Sequence, residues 1–259
     1  MTEIIERNRK FMHCPNFHES GAEESGQKKG LEKPAHSKAV AGPLIELPPF
    51  SDVLAHPSYE EILDLRRSER RFADTLIGKG QLAFLLWSVQ GVRGFRGTNT
   101  LRVVPSGGAR HAFELYFAAC KVEGLEPGFY RYAPMEHVGE KRVSVEFLRA
   151  FEDNREAQLK AMLAGQTWGA KAAVVLFFSF VPYRAEWRYS DKAHRVALID
   201  LGHAGQNAVL SAAALGFGSC CVGAYNQELC DKTLGLDGVE EYTVYAVPVG
   251  AVERKEPEK

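Results

Sequence analysis

Apolar and polar positions change period several times along this chain, and the changes divide it into elements. Tyr59, Ile62 and Leu65 fall at helical spacing behind Ser58 and Glu61, the two halves of a capping box, so a short helix is expected to about Arg66. In KGQLAFLLWSVQG, Leu82, Leu85, Leu86 and Val89 share one helical face and Gly91 marks the end. From Leu101 the period shortens. Phe113, Leu115 and Phe117 alternate with other residues, and GFYRYAP followed by HVGEKRV reads as a hairpin, so this region is strand. A polar helix is expected from about Val145 to Leu163, and AAVVLFFSF is a short apolar run suited to a strand buried on both faces. A helix from about Lys192 to Leu215, a short one near Gln227 to Leu234 and the strand EYTVYAVPVG complete the pattern.

Strands and helices alternate only loosely and no internal repeat is present, which favours an α+β fold over a doubly wound sheet. Residues 1–50 lack a sustained period and read as an irregular N-terminal arm; PLIELPPF, Pro43 to Phe50, is a proline-framed lead-in to a folded domain over residues 51–254, and residues 255–259 are a polar tail. GVRGFRG, Gly91 to Gly97, reads as a mobile loop. In the long helix Ala204, Ala208 and Ala212 recur every four residues, with Gly202, Gly205 and Ala213 keeping neighbouring positions small. Such a stripe lets another backbone approach closely, whether across a subunit interface or inside the core.

Composition narrows the partners. Apolar residues are 45% and charged residues 25%, ordinary for a globular protein, and a net charge of −1 provides no general attraction to nucleic acid or an anionic membrane. The stretch Leu201 to Gln227 lacks formal charge, yet its His203, Gln206, Asn207, Gly216 and Gly218 argue against a membrane span. Five cysteines at irregular spacing, without a charged-then-apolar leader, lead to the expectation of a reducing, cytoplasmic setting.

Several stretches carry candidate chemistry. Arg66, Arg67, Ser68, Glu69, Arg70 and Arg71 form the densest charge in the chain. Arginines at a helix end complement its dipole, but guanidinium groups beside a serine hydroxyl also make a phosphate clamp. VVPSGGARHAFELY places Ser106, Gly107, Gly108 and Ala109 before a strand, either as a tight turn or as backbone that approaches a flat ligand closely. EWRYSDKAHR sets Trp187, Arg188 and Tyr189 ahead of the long helix, where cationic and phenolic groups serve as an aromatic anchor or in acid and base chemistry. Dinucleotide, P-loop, nucleophile-elbow and zincin signatures are absent, and His13, Cys14 and His18 lack the second pair that would complete a zinc site, so no metal is expected.

RRSERRF, VVPSGGARHAFELYF, LIDLGHAGQNAVLSAAALGFGSCCVG and the closing YAVPVG together resemble, in order and spacing, the nitroreductase-like flavoprotein superfamily. PGFYRYAP with HVGE, and YRAEWRYSDKAHR, resemble more narrowly its SagB-type dehydrogenase branch; in the arm, FHES from Phe17 to Ser20 is a loose parallel. The resemblance spans about residues 50–252 and implies a mostly antiparallel central sheet flanked by helices, an interdigitated homodimer and FMN at the subunit interface. It further implies hydride exchange at flavin N5 between two substrates in alternation, with NADH or NADPH as a possible co-substrate and a small molecule or peptide as the other. Carried over, the phosphate ligands fall on Arg67, Ser68 and Arg70, the turn beside the flavin ring on Pro105, Ser106 and Gly107, and the loop at its reactive edge on Val222, Gly223 and Ala224. A C-terminal basic residue falls on Arg254. In azoline dehydrogenases of the branch a lysine-tyrosine pair is the proposed base, where this chain has Arg188 and Tyr189. Three activities stay open: a general FMN-dependent oxidoreductase, an azoline dehydrogenase of modified peptides, and a non-catalytic flavin-binding subunit of a biosynthetic complex. Cys220 and Cys221, adjacent in an apolar setting, read as small residues that let backbone reach the cofactor.

Overall fold

A computed structural model describes residues 2–13, 24–53 and 58–252. The elements in chain order are α1 (Glu3–Met12), β1 (Leu44–Leu47), α2 (Tyr59–Leu65), α3 (Lys79–Gln90), β2 (Val92–Arg96), β3 (Asn99–Arg102), β4 (Phe113–Ala119), β5 (Gly128–Tyr132), β6 (Val143–Ala150), α4 (Arg155–Met162), β7 (Val174–Phe180), α5 (Pro182–Tyr189), α6 (Ala193–Ala214), β8 (Gly218–Ser219), α7 (Gln227–Leu234) and β9 (Tyr242–Gly250). Among the described residues, seven strands form one sheet in the order β1-β6-β5-β4-β7-β9-β8, and every neighbouring pair is antiparallel.

The central strands explain why the sheet is covered on both sides. In β4 and β7, Leu115, Phe117, Leu176 and Phe178 face α3 and α6, while Tyr116, Ala118, Val175 and Phe177 face α4 and α7. Successive side chains of a strand point to opposite faces, so an unbroken apolar run requires a helical layer on each. Phe177 and Phe178 are both fully buried, each worth about 2–3 kcal/mol in area terms. The small-residue stripe of α6 lies inside this core, with Ala204, Ala208 and Ala212 buried against it. At Gly205 an added Cβ would sit 2.9 Å from the Tyr245 ring, so glycine is needed there. Leu198 and Ile199, by contrast, are exposed on the same helix.

Three expectations need correction, and one left open is decided. Residues 1–50 are not uniformly irregular, because α1 forms near the start and β1 pairs with β6 as an edge strand, where its flanking prolines cost no ladder hydrogen bond. GVRGFRG is not a loop: β2 pairs with β3, with Gly97 at φ +59 in the connecting turn. The single helix expected from Val145 to Leu163 is strand β6 followed by α4, which is capped by Asn154, whose side chain accepts from the Ala157 amide. Of the two readings of the α6 stripe, the core one holds within the chain.

The N-terminal segment is gripped by buried charge. Arg102 donates to the His36 carbonyl at 2.5 Å, Glu114 accepts from the Lys38 amide at 2.6 Å, and Arg131 donates to the Lys38 and Ala39 carbonyls. Glu146 accepts from the Ala41 and Gly42 amides and pairs with Arg131 at 2.7 Å. Residues 24–42 thereby form a strap across one face of the sheet. No helix among the described residues is long and apolar enough to cross a membrane.

Candidate functional site

The site residues gather in two groups. The first is built where the chain leaves α2. Ser58 caps that helix in the expected capping box, Arg66 ends it in an extended conformation, and the following residues run alongside β8. Ser68 bridges to Ser219, the Glu69 amide donates to the Ser219 carbonyl at 2.9 Å, and Ala73 donates to Ala251. Glu69 turns its carboxylate back onto the Arg70 and Arg71 amides. Arg67 and Arg70 are exposed, make no ion pair among the described residues, and Arg70 lies 5.5 Å from the centre of the Trp168 ring. Arg67, Ser68 and Arg70 thus stand as exposed polar donors on a stitched-down loop, which suits an oxyanion from outside the chain.

The same end of the molecule holds the cysteine segment. Cys220 is buried, its thiol pushed up by burial and donating to the Cys221 carbonyl at 3.7 Å. Val222 pairs in both directions with Ala246, Gln166 donates to the Ala224 carbonyl at 2.8 Å, and the Tyr225 hydroxyl donates to Thr243. Gly223 and Ala224 are exposed on this fixed loop, and a Cβ at Gly223 would meet open space. The glycine is therefore not demanded by packing within the chain, and the space beside it is free for a flat ligand. Cys221 faces solvent, and the Tyr245 phenol has its ionisation suppressed, chiefly by burial and then by Cys221.

The second group is built around the turn after β3. Asp200 of α6 accepts the Ser106 hydroxyl at 2.6 Å and the Gly107 amide at 3.0 Å, and the Ser106 hydroxyl in turn accepts the His111 amide at 2.9 Å. Burial raises the Asp200 pKa despite these bonds. His111 is driven down to about 3, first by burial and then by the Arg102 charge, so it is held neutral. Pro105 is exposed at the mouth of this turn. Arg188 and Tyr189, at the end of α5, pack against it: a Cβ at Gly108 would lie 2.8 Å from the Tyr189 hydroxyl and would also run into the Arg188 stem. Gly108 has φ +56, so both backbone and space require glycine.

The fold therefore joins Arg67, Ser68 and Arg70 to Val222, Gly223 and Ala224, and separately joins Pro105, Ser106 and Gly107 to Arg188 and Tyr189. It does not bring the two groups together within one chain: they lie toward opposite ends of α6, and Asp200 to Ala214 is about 21 Å of helix. Arg254, Cys14, His18 and the FHES segment lie outside the described residues. Among the described residues, no group of three His, Cys, Asp or Glu side chains is placed to hold a metal.

Sequence reasoning missed Asp200, Arg110, His111 and Gln27. Asp200 had a signal, being an acid on the same helical face as the buried Ala193, Ala197, Leu201 and Ala204. Gln27 had none, since its partner is Arg188, 161 residues away.

A family model described as the nitroreductase family matches residues 63–251. The chain is 29% identical over 206 residues to MJ1384 of Methanocaldococcus jannaschii, described as a candidate nitroreductase, covering 80% of this chain and 95% of that one. It is 28% identical over 160 residues to the trifolitoxin-processing protein TfxB of Rhizobium leguminosarum bv. trifolii, covering 59% of this chain and 40% of that one. Among solved structures, a candidate nitroreductase from Anabaena variabilis superposes with a TM-score of 0.64 at 19% identity, over 95% of this chain, which spans 45% of that longer one. A chain of the E. coli microcin synthetase McbBCD complex, with truncated pro-MccB17 bound, superposes at 0.59 and 21% identity over 97% of this chain and 93% of that one. These structures share the antiparallel α+β fold expected from the motifs.

Proposed function

Since the chain belongs to the nitroreductase family of oxidoreductases, we propose that it is an FMN-dependent member working as a homodimer, with NADH or NADPH as a reductant. The observation that carries this reading is the first group: exposed Arg67 and Arg70, with no ion pair among the described residues, beside the Ser68 hydroxyl on a loop stitched to the segment that presents Gly223 and Ala224. That donor set fits a phosphate monoester, and the open space at Gly223 fits a flat ring.

Arg67, Ser68 and Arg70 would hold the phosphate, joined by Arg254 from the C-terminal segment. Pro105, Ser106 and Gly107 would support the ring, with Asp200 fixing the turn, and the Val222, Gly223 and Ala224 loop would lie at its reactive edge, its Val222 amide held by Ala246 and its Gly223 and Ala224 amides left to face the ring. FMN held there supplies two-electron hydride exchange at its N5. The chain's own part is orientation and proton handling. Tyr189, with its hydroxyl against the Gly107–Gly108 turn, is the group suited to hold a substrate proton. Arg188 contributes a guanidinium fork and its charge.

The separation of the two groups along α6 supports the dimer, because a second copy would carry its own turn to the first copy's phosphate loop. Leu198 and Ile199 on α6 and Tyr59, Leu63 and Leu65 on α2 are exposed apolar side chains suited to that contact. Azoline oxidation in a modified peptide is a second reading, favoured by the similarity to TfxB. Against it, Arg188 stands in place of a lysine base, leaving Tyr189 alone for proton removal.

Incubated with FMN, the purified protein should turn yellow, keep the colour through gel filtration at the mass of two chains, and bleach with NADH or NADPH. Arg67→Ala should weaken FMN about 30-fold, the loss of one charge-assisted contact of about 2 kcal/mol. A wild-type protein that gains no flavin would sink the reading, and a yellow one that turns nothing over would make it a flavin-binding subunit. Oxidation of a thiazoline-bearing peptide by the yellow protein would select the second reading.

A further inference from the structure

The corner around Gly108 holds two guanidinium groups with no carboxylate to neutralise either among the described residues. Arg110 is buried: its Nε donates to the Gly108 carbonyl at 3.3 Å and one Nη to Asn99 Oδ1 at 3.1 Å, and its guanidinium lies 5.0 Å from the centre of the Trp187 ring. Arg188 borders the same residue from the Cβ side, is exposed, donates to Gln27 Oε1 at 3.1 Å, and lies 5.8 Å from the Tyr189 ring. These partners are carbonyls, amides and aromatic faces, all uncharged. Asp200, the acid on this turn, already accepts from Ser106 and Gly107.

Two like charges arranged around one glycine repel each other, and burial together with the Arg188 charge holds Arg110 below its usual range. An anion from outside the chain removes that repulsion. Arg188, Tyr189 and Val196 fill the space beside Gly107 and Gly108, so an anion meets the exposed Arg188 fork first, with the Arg110 charge behind it, and planar guanidinium forks match the two oxygens of a carboxylate or phosphate. Gln27 keeps the exposed Arg188 in place. Its own amide donates to the Trp187 carbonyl at 2.7 Å, and Trp187 donates to the Leu31 carbonyl at 2.9 Å, so the strap that begins at residue 24 is pinned to this corner.

We propose that Arg188, backed by the buried charge of Arg110, forms an anion-recognising corner beside the Pro105–Gly107 turn, and that the molecule bound there presents a carboxylate or a phosphate to Arg188. This rests on the reading of the Pro105–Gly107 turn as part of the flavin site, and it makes Gln27 a positioning residue acting through Arg188. The anion has two sources, a carboxylate on the substrate or the phosphates of NADH or NADPH.

The test uses the FMN-loaded full chain with matched charged and neutral partners: 4-nitrobenzoate against 4-nitrobenzamide as acceptors, and NADH against 1-benzyl-1,4-dihydronicotinamide as reductants. In Arg188→Gln, the KM ratio of charged to neutral partner should worsen at least tenfold for one pair, and that pair identifies the source. Arg188→Lys should recover most of the ratio, and Gln27→Ala should shift it in the same direction by less. Calorimetric titration with benzoate and with pyrophosphate, independent of turnover, should show at least tenfold weaker binding of one of them to Arg188→Gln than to wild type. Equal changes for charged and neutral partners together with unchanged calorimetry would overturn the proposal, as would weaker binding of FMN itself in Arg188→Gln. A wild type that takes up no FMN would overturn only the flavin reading, and the titration would still decide this one.

Discussion

The Asp200 carboxylate takes the Ser106 hydroxyl at 2.6 Å across 94 residues of sequence, and so ties the long helix to the glycine turn on which the second group of site residues is built. Removing the acid leaves a hydroxyl and the Gly107 amide without their partner. Asp200→Ala should cost about 1–3 kcal/mol in urea denaturation, the usual penalty for orphaned buried donors. The pH dependence has a definite sign. The folded pKa of Asp200 lies above the ordinary 3.8, so its contribution is fully present below that value and declines as pH rises through the folded pKa. Urea midpoints of wild type should therefore fall relative to Asp200→Asn as pH climbs from below 4, and parallel curves would refute the assignment.

His111 gives the opposite trend. Its folded pKa of about 3 lies below the ordinary 6.5, so the unfolded chain takes up a proton that the folded one refuses. Its contribution is complete above pH 6.5 and is lost as pH falls toward 3, by up to about 5 kcal/mol. His111→Asn tolerates the φ of +45 at this position and should flatten the acid limb of the stability profile. An unchanged acid limb would place the sensitivity elsewhere.

Glu114 is the carboxylate on which the strap depends. It is buried, pairs with Arg184 at 2.6 Å and accepts from the Lys38 amide; the charges of Arg184 and Arg102 outweigh burial and keep it ionised. Glu114→Gln leaves Arg184 without its counter-charge and should cost about 3–5 kcal/mol. Proteolysis within residues 24–42 should speed up in the variant well before global unfolding. Equal cleavage in both proteins would show that other contacts hold the strap.

Cys220 and Cys221 supply small volume in this arrangement. Burial keeps the Cys220 thiol protonated at neutral pH, where a thiol is a poor nucleophile. Changing both to alanine should leave FMN affinity and the rate of flavin bleaching by NADH or NADPH within about twofold. Retained FMN with turnover lost would establish a thiol role.

Much of the architecture was written in local pattern. The alternation in β4, the unbroken apolar run of β7 and the face of α3 each follow from burying apolar surface at a fixed period, and the Ser58 capping box is a contact three residues long. The motifs also placed the arginine loop and the cysteine segment as separate candidates. Their adjacency was not local, because it arises from pairing Ser68 with Ser219 across the sheet edge. The hairpin of β2 and β3 escaped because its glycines signal flexibility until a partner strand fixes them, and β6 escaped because its polar Ser144 and Glu146 are buried, satisfied only by distant Arg131, His137 and the Ala41 and Gly42 amides. Most of all, the sequence by itself could name charged residues without saying which become neutral, paired or strained. Asp200, His111, Glu114 and the Arg110–Arg188 corner acquire their properties from burial and from neighbours far along the chain, and those exist only once the tertiary structure has closed around them.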